Sequence, residues 1–298
     1  MPYLGEIAAL LTAFCWSASA LFFTWSGRRI GSQAVNLARL VAAVTLVMLL
    51  HLALYGAPFP LHAGTPRYLY LGASGLIGFC LGDAVLFEAF LLLGPRLALL
   101  IMTLSPVFSA LLGRLFLHQA LGWPKLLAIL VTLAGIAWVV GEHSSAADTQ
   151  RPRHLFLGIG LAVGGAIGQS GGLLFSRLGL EGGFNPLSAN VLRLTAATAG
   201  LVLWHLLRGD LFALLARLKD RGAALQVLGG ATFGPVLGVT LSLIAIAHAS
   251  MGVAATLMSL SPVILLPVSM ALEKERISLG AVAGTLLSIA GSVALFML

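Results

Sequence analysis

Ten runs of about 20 residues, nearly free of charge, follow one another along the chain: 4–25, 35–55, 68–92, 95–117, 122–141, 155–178, 187–207, 223–247, 251–272 and 278–298. Each is bounded by Gly, Pro or charged clusters, and each has the length at which a helix crosses the hydrocarbon core of a bilayer. None alternates apolar and polar positions as a membrane-barrel strand does. Backbone groups in hydrocarbon must pair within their own segment, so each run is read as a helix. The pattern predicts an all-α integral membrane protein with ten transmembrane helices.

The polar positions that interrupt these runs repeat. Asn36-Leu37-Ala38-Arg39-Leu40 returns as Asn190-Val191-Leu192-Arg193-Leu194, and His51 as His205, at an offset of 154. Met102-Thr103-Leu104-Ser105-Pro106-Val107 returns as Met258-Ser259-Leu260-Ser261-Pro262-Val263, and Gly78, Gly82 and Gly135 as Gly234, Gly238 and Gly291, at an offset of 156. In the first helix Trp16-Ser17 matches Gln169-Ser170 at 153. The shared order marks a duplication into 1–146 and 147–298, two five-helix repeats within one membrane domain. Five is odd, so the second repeat must cross the membrane in the opposite sense. Inverted repeats of this kind underlie many secondary transporters, whose substrate site lies near the midplane between the halves.

Composition closes off other classes. The chain is 59% hydrophobic and 9% charged, with a mean hydropathy of +1.02, against roughly 25% charged residues in a soluble domain. The net charge of +7 is scattered through short loops rather than gathered on one face, so no nucleic-acid partner is expected. Cys15 and Cys80 lie inside apolar runs without partners at metal-ligand spacing, which implies neither a disulfide framework nor a metal site. The start, MPYLGE, lacks a basic n-region and cleavage site, so the first run is expected to remain as a helix. Gly158-x-Gly160 follows no strand and lacks the third glycine of a dinucleotide loop, so no cofactor is expected.

These motifs resemble the drug/metabolite transporter superfamily, in particular its EamA-type members with two five-helix repeats. The resemblance rests on Phe14-Cys15-Trp16-Ser17 in the first helix, Arg39 and Arg193 opening the second helix of each repeat, and Ser105-Pro106 and Ser261-Pro262 in the fourth. Glu273, Gly284 and Gly291 continue the second copy. The first copy departs at His118-Gln119, where a Glu is expected, and the second at Gln169, where a Trp is expected. The resemblance implies export or exchange of amino acids, other metabolites or drug-like compounds, and cytoplasmic termini.

Several residues are candidates for the chemistry. Asp83 and Glu88 are the only acidic residues well inside a span, and intramembrane carboxylates face the bundle interior, pair, or take up protons. Asp83 is the preferred coupling or substrate-contacting group; the alternative is an ion pair with Arg39 or Arg96. Arg39 and Arg193 either snorkel to the headgroups or form a pair of cations at the mouth of a pathway. Trp16, Ser17, Gln169 and Ser170 lie mid-span, where a cavity wall is expected, although Ser in a membrane helix also bonds its own backbone. Pro106 and Pro262 each remove a backbone hydrogen bond mid-helix and are expected to kink it as hinges. Rows at Gly160, Gly164, Gly168 and Gly172, and at Gly230, Gly234 and Gly238, are expected to let helices approach closely. His51 and His205 are expected at the interface.

The expectation is a secondary transporter and exporter in the cell (inner) membrane, working by alternating access on a small-molecule substrate as a monomer, with a dimer as the alternative and protons as the candidate coupling ion. The alternatives are a membrane-embedded enzyme, for which no catalytic constellation is present, or a non-transporting scaffold. Loops after odd-numbered helices hold Arg28, Arg29, Arg96, Arg151, Arg153, Arg208, Arg217, Lys219, Arg221, Lys274 and Arg276, against Arg67, Arg114, Lys125 and Arg177 on the other side. The positive-inside rule then puts both termini outside the cytoplasm, against the implication of the resemblance. A C-terminal reporter that works only in the cytoplasm is therefore expected to be silent; activity would reverse the orientation.

Overall fold

The computed structural model describes residues 3–116, 122–146, 152–248, 257–272 and 277–297. Among them there is no strand. The helices are α1 Leu4–Ile30, α2 Ser32–Tyr55, α3 Thr65–Leu93, α4 Pro95–Phe116, α5 Trp123–Ala146, α6 Pro152–Gly179, α7 Pro186–Arg208 and the short α8 Leu211–Arg217. α9 begins as Arg221–Ala231, passes through Thr232–Gly238 and continues as Val239–His248; α10 is Ser261–Leu272 and α11 Leu279–Met297. Among the described residues eight helices, α1 to α7 and the Arg221–Ser242 part of α9, are long and apolar enough to cross a membrane. Part of the ninth expected run, together with His118, Gln119 and Glu273, lies outside the described residues. α1 outlasts its expected end by five residues because Ser26 to Arg29 continue the turn until Gly31, whose φ of 86° ends it. α8 is an element that the apolar runs do not predict.

Three contacts organise the bundle: α1 packs on α9, α6 on α3, and α5 on α11. Glycine makes each possible. A Cβ on Gly168 of α6 would stand 2.8 Å or less from the backbone of α3, at 2.7 Å from the Gly82 Cα, and one on Gly172 would meet the Gly78 Cα at 3.0 Å. On the other pair, Gly234 and Gly238 lie against Ser19 and Trp16 of α1. Where α5 meets α11, a Cβ on Gly135 would collide with the Ser288 amide, and one on Gly291 would meet the Thr132 amide at 2.5 Å. Of the glycine row on α6, only Gly168 and Gly172 are used this way; Gly160 faces open space.

Two features recur at the offset of 156. Leu76–Gly82 in α3 and Thr232–Gly238 in α9 are both π-helical, a widened turn that often accompanies functional sites. α4 is broken at Thr103–Leu104, and α10 begins after a matching turn at Ser259–Leu260. Pro106 and Pro262 thus do not sit mid-helix as expected. Each occupies the second position of a new segment, where a missing N–H costs no intrahelical bond. Tight closures, Leu104 N to Ile101 O (2.9 Å) and Leu260 N to Leu257 O (3.3 Å), finish the preceding turns.

The ends of the bundle are tied. At one end Arg29 grips both carboxylate oxygens of Asp220 at 2.8 and 2.7 Å, and Arg217 donates to the Ile30 carbonyl. The Ala223 backbone N–H, with Arg29 beside it, holds the Asp220 carboxyl below its usual range. This tie is therefore complete at neutral pH and fades only as pH falls through that lowered value. At the opposite end Asn185 donates to Tyr55, and Arg67 to the Glu181 carbonyl. The close α5–α11 contact gives a direct test: Gly135→Val is expected to lower the apparent melting temperature of detergent-purified protein by roughly 2–10 °C through overpacking. Gly160→Val, with no neighbour to displace, should leave it unchanged.

Candidate functional site

Asp83 is the first residue after the π segment of α3, with its N–H bonded to the Gly78 carbonyl. It is 5% exposed. Its Oδ2 lies 2.8 Å from Arg39 Nη2 of α2, and its Oδ1 accepts from Gln169 Nε2 of α6 at 2.6 Å. Three helices thus converge on one carboxylate. Arg39, 3% exposed, is enclosed by the rings of Phe23, Phe79 and Phe87 at 5.9, 5.8 and 5.0 Å from their centroids. It also donates to Asn36 Oδ1 one turn back, at 2.9 Å. Each cation–π contact contributes about 0.5–2 kcal/mol, so the guanidinium is held by a carboxylate, an amide and an aromatic cage together.

Arg193 of α7 occupies the matching place in the second half but has different partners. Its Nε donates to Ser74 Oγ at 2.9 Å, and its guanidinium stands 4.4 Å from the Phe79 centroid. Ser74 Oγ in turn reaches the Gly172 carbonyl at 2.5 Å. Val239 stands where a second Asp83 would fall. The snorkelling expected of both arginines is not what the structure shows: Arg39 is buried, and Arg193 turns toward α3.

The other sequence candidates divide into two groups. Gln169 joins Asp83 directly. Ser17 and Ser170 are buried and donate to carbonyls: Ser17 to Ala13 (2.8 Å) and Ser261 (3.1 Å), Ser170 to Ala166 (2.7 Å) and Ser105 (2.8 Å). They clamp the helix breaks instead of lining open space. Trp16 is 36% exposed and lies against Gly238 of α9. Glu88 accepts from Ser32 Oγ at 2.5 Å, about 7.5 Å further along α3 than Asp83. His51 and His205, expected at the interface, are buried. The Nδ1–H of His51 donates to the Ala57 carbonyl and its Nε2 accepts from Ser188, while His205 bonds Asp210 at 2.8 Å. Asn36, Ser74 and the three Phe side chains belong to the site although they were not singled out from the sequence. The repeated Asn-x-x-Arg spacing, which puts Asn and Arg one turn apart on a helix face, was the available signal for Asn36.

The EamA-like transporter family model matches residues 3–141 and again 156–297, nearly the whole chain. The chain belongs to the EamA-like transporter family. This EamA-like protein is accordingly a multi-pass membrane protein of the drug/metabolite transporter type. Among solved structures it is similar to a crystal structure of a protein at 17% identity, a match covering 98% of this chain and 96% of that one with a TM-score of 0.61. That likeness concerns the fold alone. No curated protein matches it.

In this EamA-like transporter the Arg39–Asp83 pair generates a stability prediction. Removing either partner leaves a buried charge alone, which costs about 3–5 kcal/mol, whereas removing both does not. Arg39→Gln and Asp83→Asn are each expected to melt well below the wild type in detergent, and the double variant above either single. Additive losses would show that the pair does not hold the bundle.

Proposed function

We propose that this protein is a secondary transporter that exports small metabolites across the cell (inner) membrane by alternating access between two inverted five-helix halves, residues 1–146 and 147–298, with ten spans in all. The observation that carries this reading is a reciprocal contact. Ser17 of α1 bonds the Ser261 carbonyl where α10 begins, and Ser170 of α6 bonds the Ser105 carbonyl where the second segment of α4 begins. The first helix of each half thus holds the helix break of the other. The matching π segments, the α5–α11 contact through Gly135 and Gly291, and the two successive matches of one family model support the same division. The family's members are transporters rather than enzymes, which supports the transporter reading.

In this reading Trp16, Gln169, Asp83 and Arg193 face the substrate path, and Ser105-Pro106 and Ser261-Pro262 bend. The protein works as a monomer. Asp83 couples transport to protons: a step that draws Arg39 away leaves a carboxylate in hydrocarbon, and such a group neutralises rather than remain charged. Counterflow of a panel of amino acids, monocarboxylates and organic cations in reconstituted vesicles tests this. Saturable flux is expected in the wild type, with a pH dependence that disappears in the Arg39→Gln/Asp83→Asn double variant. An unchanged pH profile in that variant removes proton coupling, and absence of flux across the panel removes the transporter reading.

A further inference from the structure

The buried polar cluster carries two cations and one anion. Arg39 and Arg193 both stand against the Phe79 ring, and a guanidinium does not lose its proton in a protein. Asp83 is the carboxylate within reach, and both of its oxygens are engaged, Oδ2 by Arg39 and Oδ1 by Gln169. Glu88, the other acidic residue of α3, lies 14 positions beyond Ser74, about 21 Å along the helix, and is occupied with Ser32. The cluster therefore holds one positive charge that no carboxylate among the described residues balances. In hydrocarbon such an excess is costly.

The excess is placed on Arg193. Its bonds are the Nε bond to Ser74 and the stack on Phe79, so both Nη groups are without a hydrogen-bond partner among the described residues, and the side chain is only partly buried. A paired Nη edge is the fork that matches a planar carboxylate with two parallel bonds. Two further buried atoms of the same two Asn-x-x-Arg motifs lack partners: Arg39 Nε and Asn190 Oδ1. In the first half Asn36 Oδ1 accepts from Arg39. In the second half Arg193 has turned away from Asn190 toward α3. The arginine is thus held by the other half, with its donor edge unmatched.

We propose that Arg193 binds the carboxylate of an organic monoanion, so that the transported species carries one net negative charge and its apolar body lies against the Phe79 side of the cluster. This inference rests on the transporter reading above and narrows its substrate class. One negative charge balances the cluster. A zwitterion, whose ammonium cancels its carboxylate, does not, and a cation adds to the excess. Exchange of an outgoing monoanion for an incoming proton carried by Asp83 moves net charge across the membrane, so its rate responds to membrane potential.

The test uses three probes with one carbon skeleton: 3-phenylpropionate, phenylalanine and 2-phenylethylammonium, each offered to vesicles containing the full-length protein. Saturable uptake of 3-phenylpropionate alone is expected, faster when the imposed potential favours anion movement. Arg193→Gln should reduce it by about tenfold or more, the scale of a lost charged hydrogen bond. Arg193→Lys, which keeps the charge but not the fork, should retain part of it. Size-exclusion profiles confirm that each variant is folded, and should Arg193→Gln fail to fold, the potential dependence of the wild type decides. Saturable uptake of phenylalanine or 2-phenylethylammonium, indifferent to potential or to Arg193→Gln, overturns the anion site and leaves a transporter of another class. Saturable uptake of none of the three overturns the anion site, and with no flux of any metabolite the transporter reading falls as well.

Discussion

The Arg39–Asp83 pair is the constraint to which much of the structure answers. An ionised side chain in hydrocarbon persists only with its partner at contact distance and its remaining hydrogen-bonding capacity filled. Asp83 meets that requirement with Arg39 from α2 and Gln169 from α6. Bringing α6 near enough for Gln169 to reach requires Gly168 to touch Gly82 through backbone alone. The widened turn that ends at Gly82 then presents Asp83 to both partners. At Asp83, charge pairing, glycine contact and π segment act together as one arrangement.

The positions related by the repeat offset separate scaffold from chemistry. Contacts made by backbone and small residues recur: the two π segments, the two breaks, Ser17 with Ser261 and Ser170 with Ser105, Gly135 with Ser288 and Gly291 with Thr132. Arg39 and Arg193 recur as well, but the groups that hold them do not. Asp83 corresponds to Val239, Gln169 to Trp16, and Ser74 to Gly230. Even one conserved kind of contact is built from opposite sides, since Ser19 donates to the Gly230 carbonyl at 3.0 Å while Ser74 donates to the Gly172 carbonyl. A duplicated frame fixes where helices meet, and single substitutions on it then make one side polar and the other aromatic.

The helices were legible because hydrocarbon leaves the backbone few choices, so length and apolarity place spans to within a few residues. The repeat was legible for a related reason: in a chain so poor in charge, each Asn, Arg and Ser-Pro is a landmark. The π segments were not, because a slip in helical phase is visible only against a polar stripe, and Leu76-Ile77-Gly78-Phe79-Cys80 has none. Asp83 and Arg39 could each be named from sequence, but their pairing depends on the rotation of α2 against α3, which two apolar helices do not reveal. The burial of His51 was missed because its partner Ser188 lies on a helix whose approach only the fold determines, and that of His205 because the turn at Gly209 brings Asp210, five residues on, back against the ring.

The helix breaks link packing to motion. A proline does not bend α4 from within; the chain stops being α-helical one turn earlier, and carbonyls freed there are taken by hydroxyls from other helices. Thr103 O accepts from Ser292 at 3.0 Å, Ser105 O from Ser170, and Ser261 O from Ser17. A neutral hydrogen bond of this kind contributes about 0.5–1.5 kcal/mol, against several for breaking the Arg39–Asp83 pair. Rearrangement at the breaks is therefore far easier than rearrangement at the charge cluster. A motion in this bundle costs least when α4 and α10 flex at their serine-held breaks, and in the proposed cycle Arg39 leaves Asp83 only in the step in which the carboxylate takes up a proton.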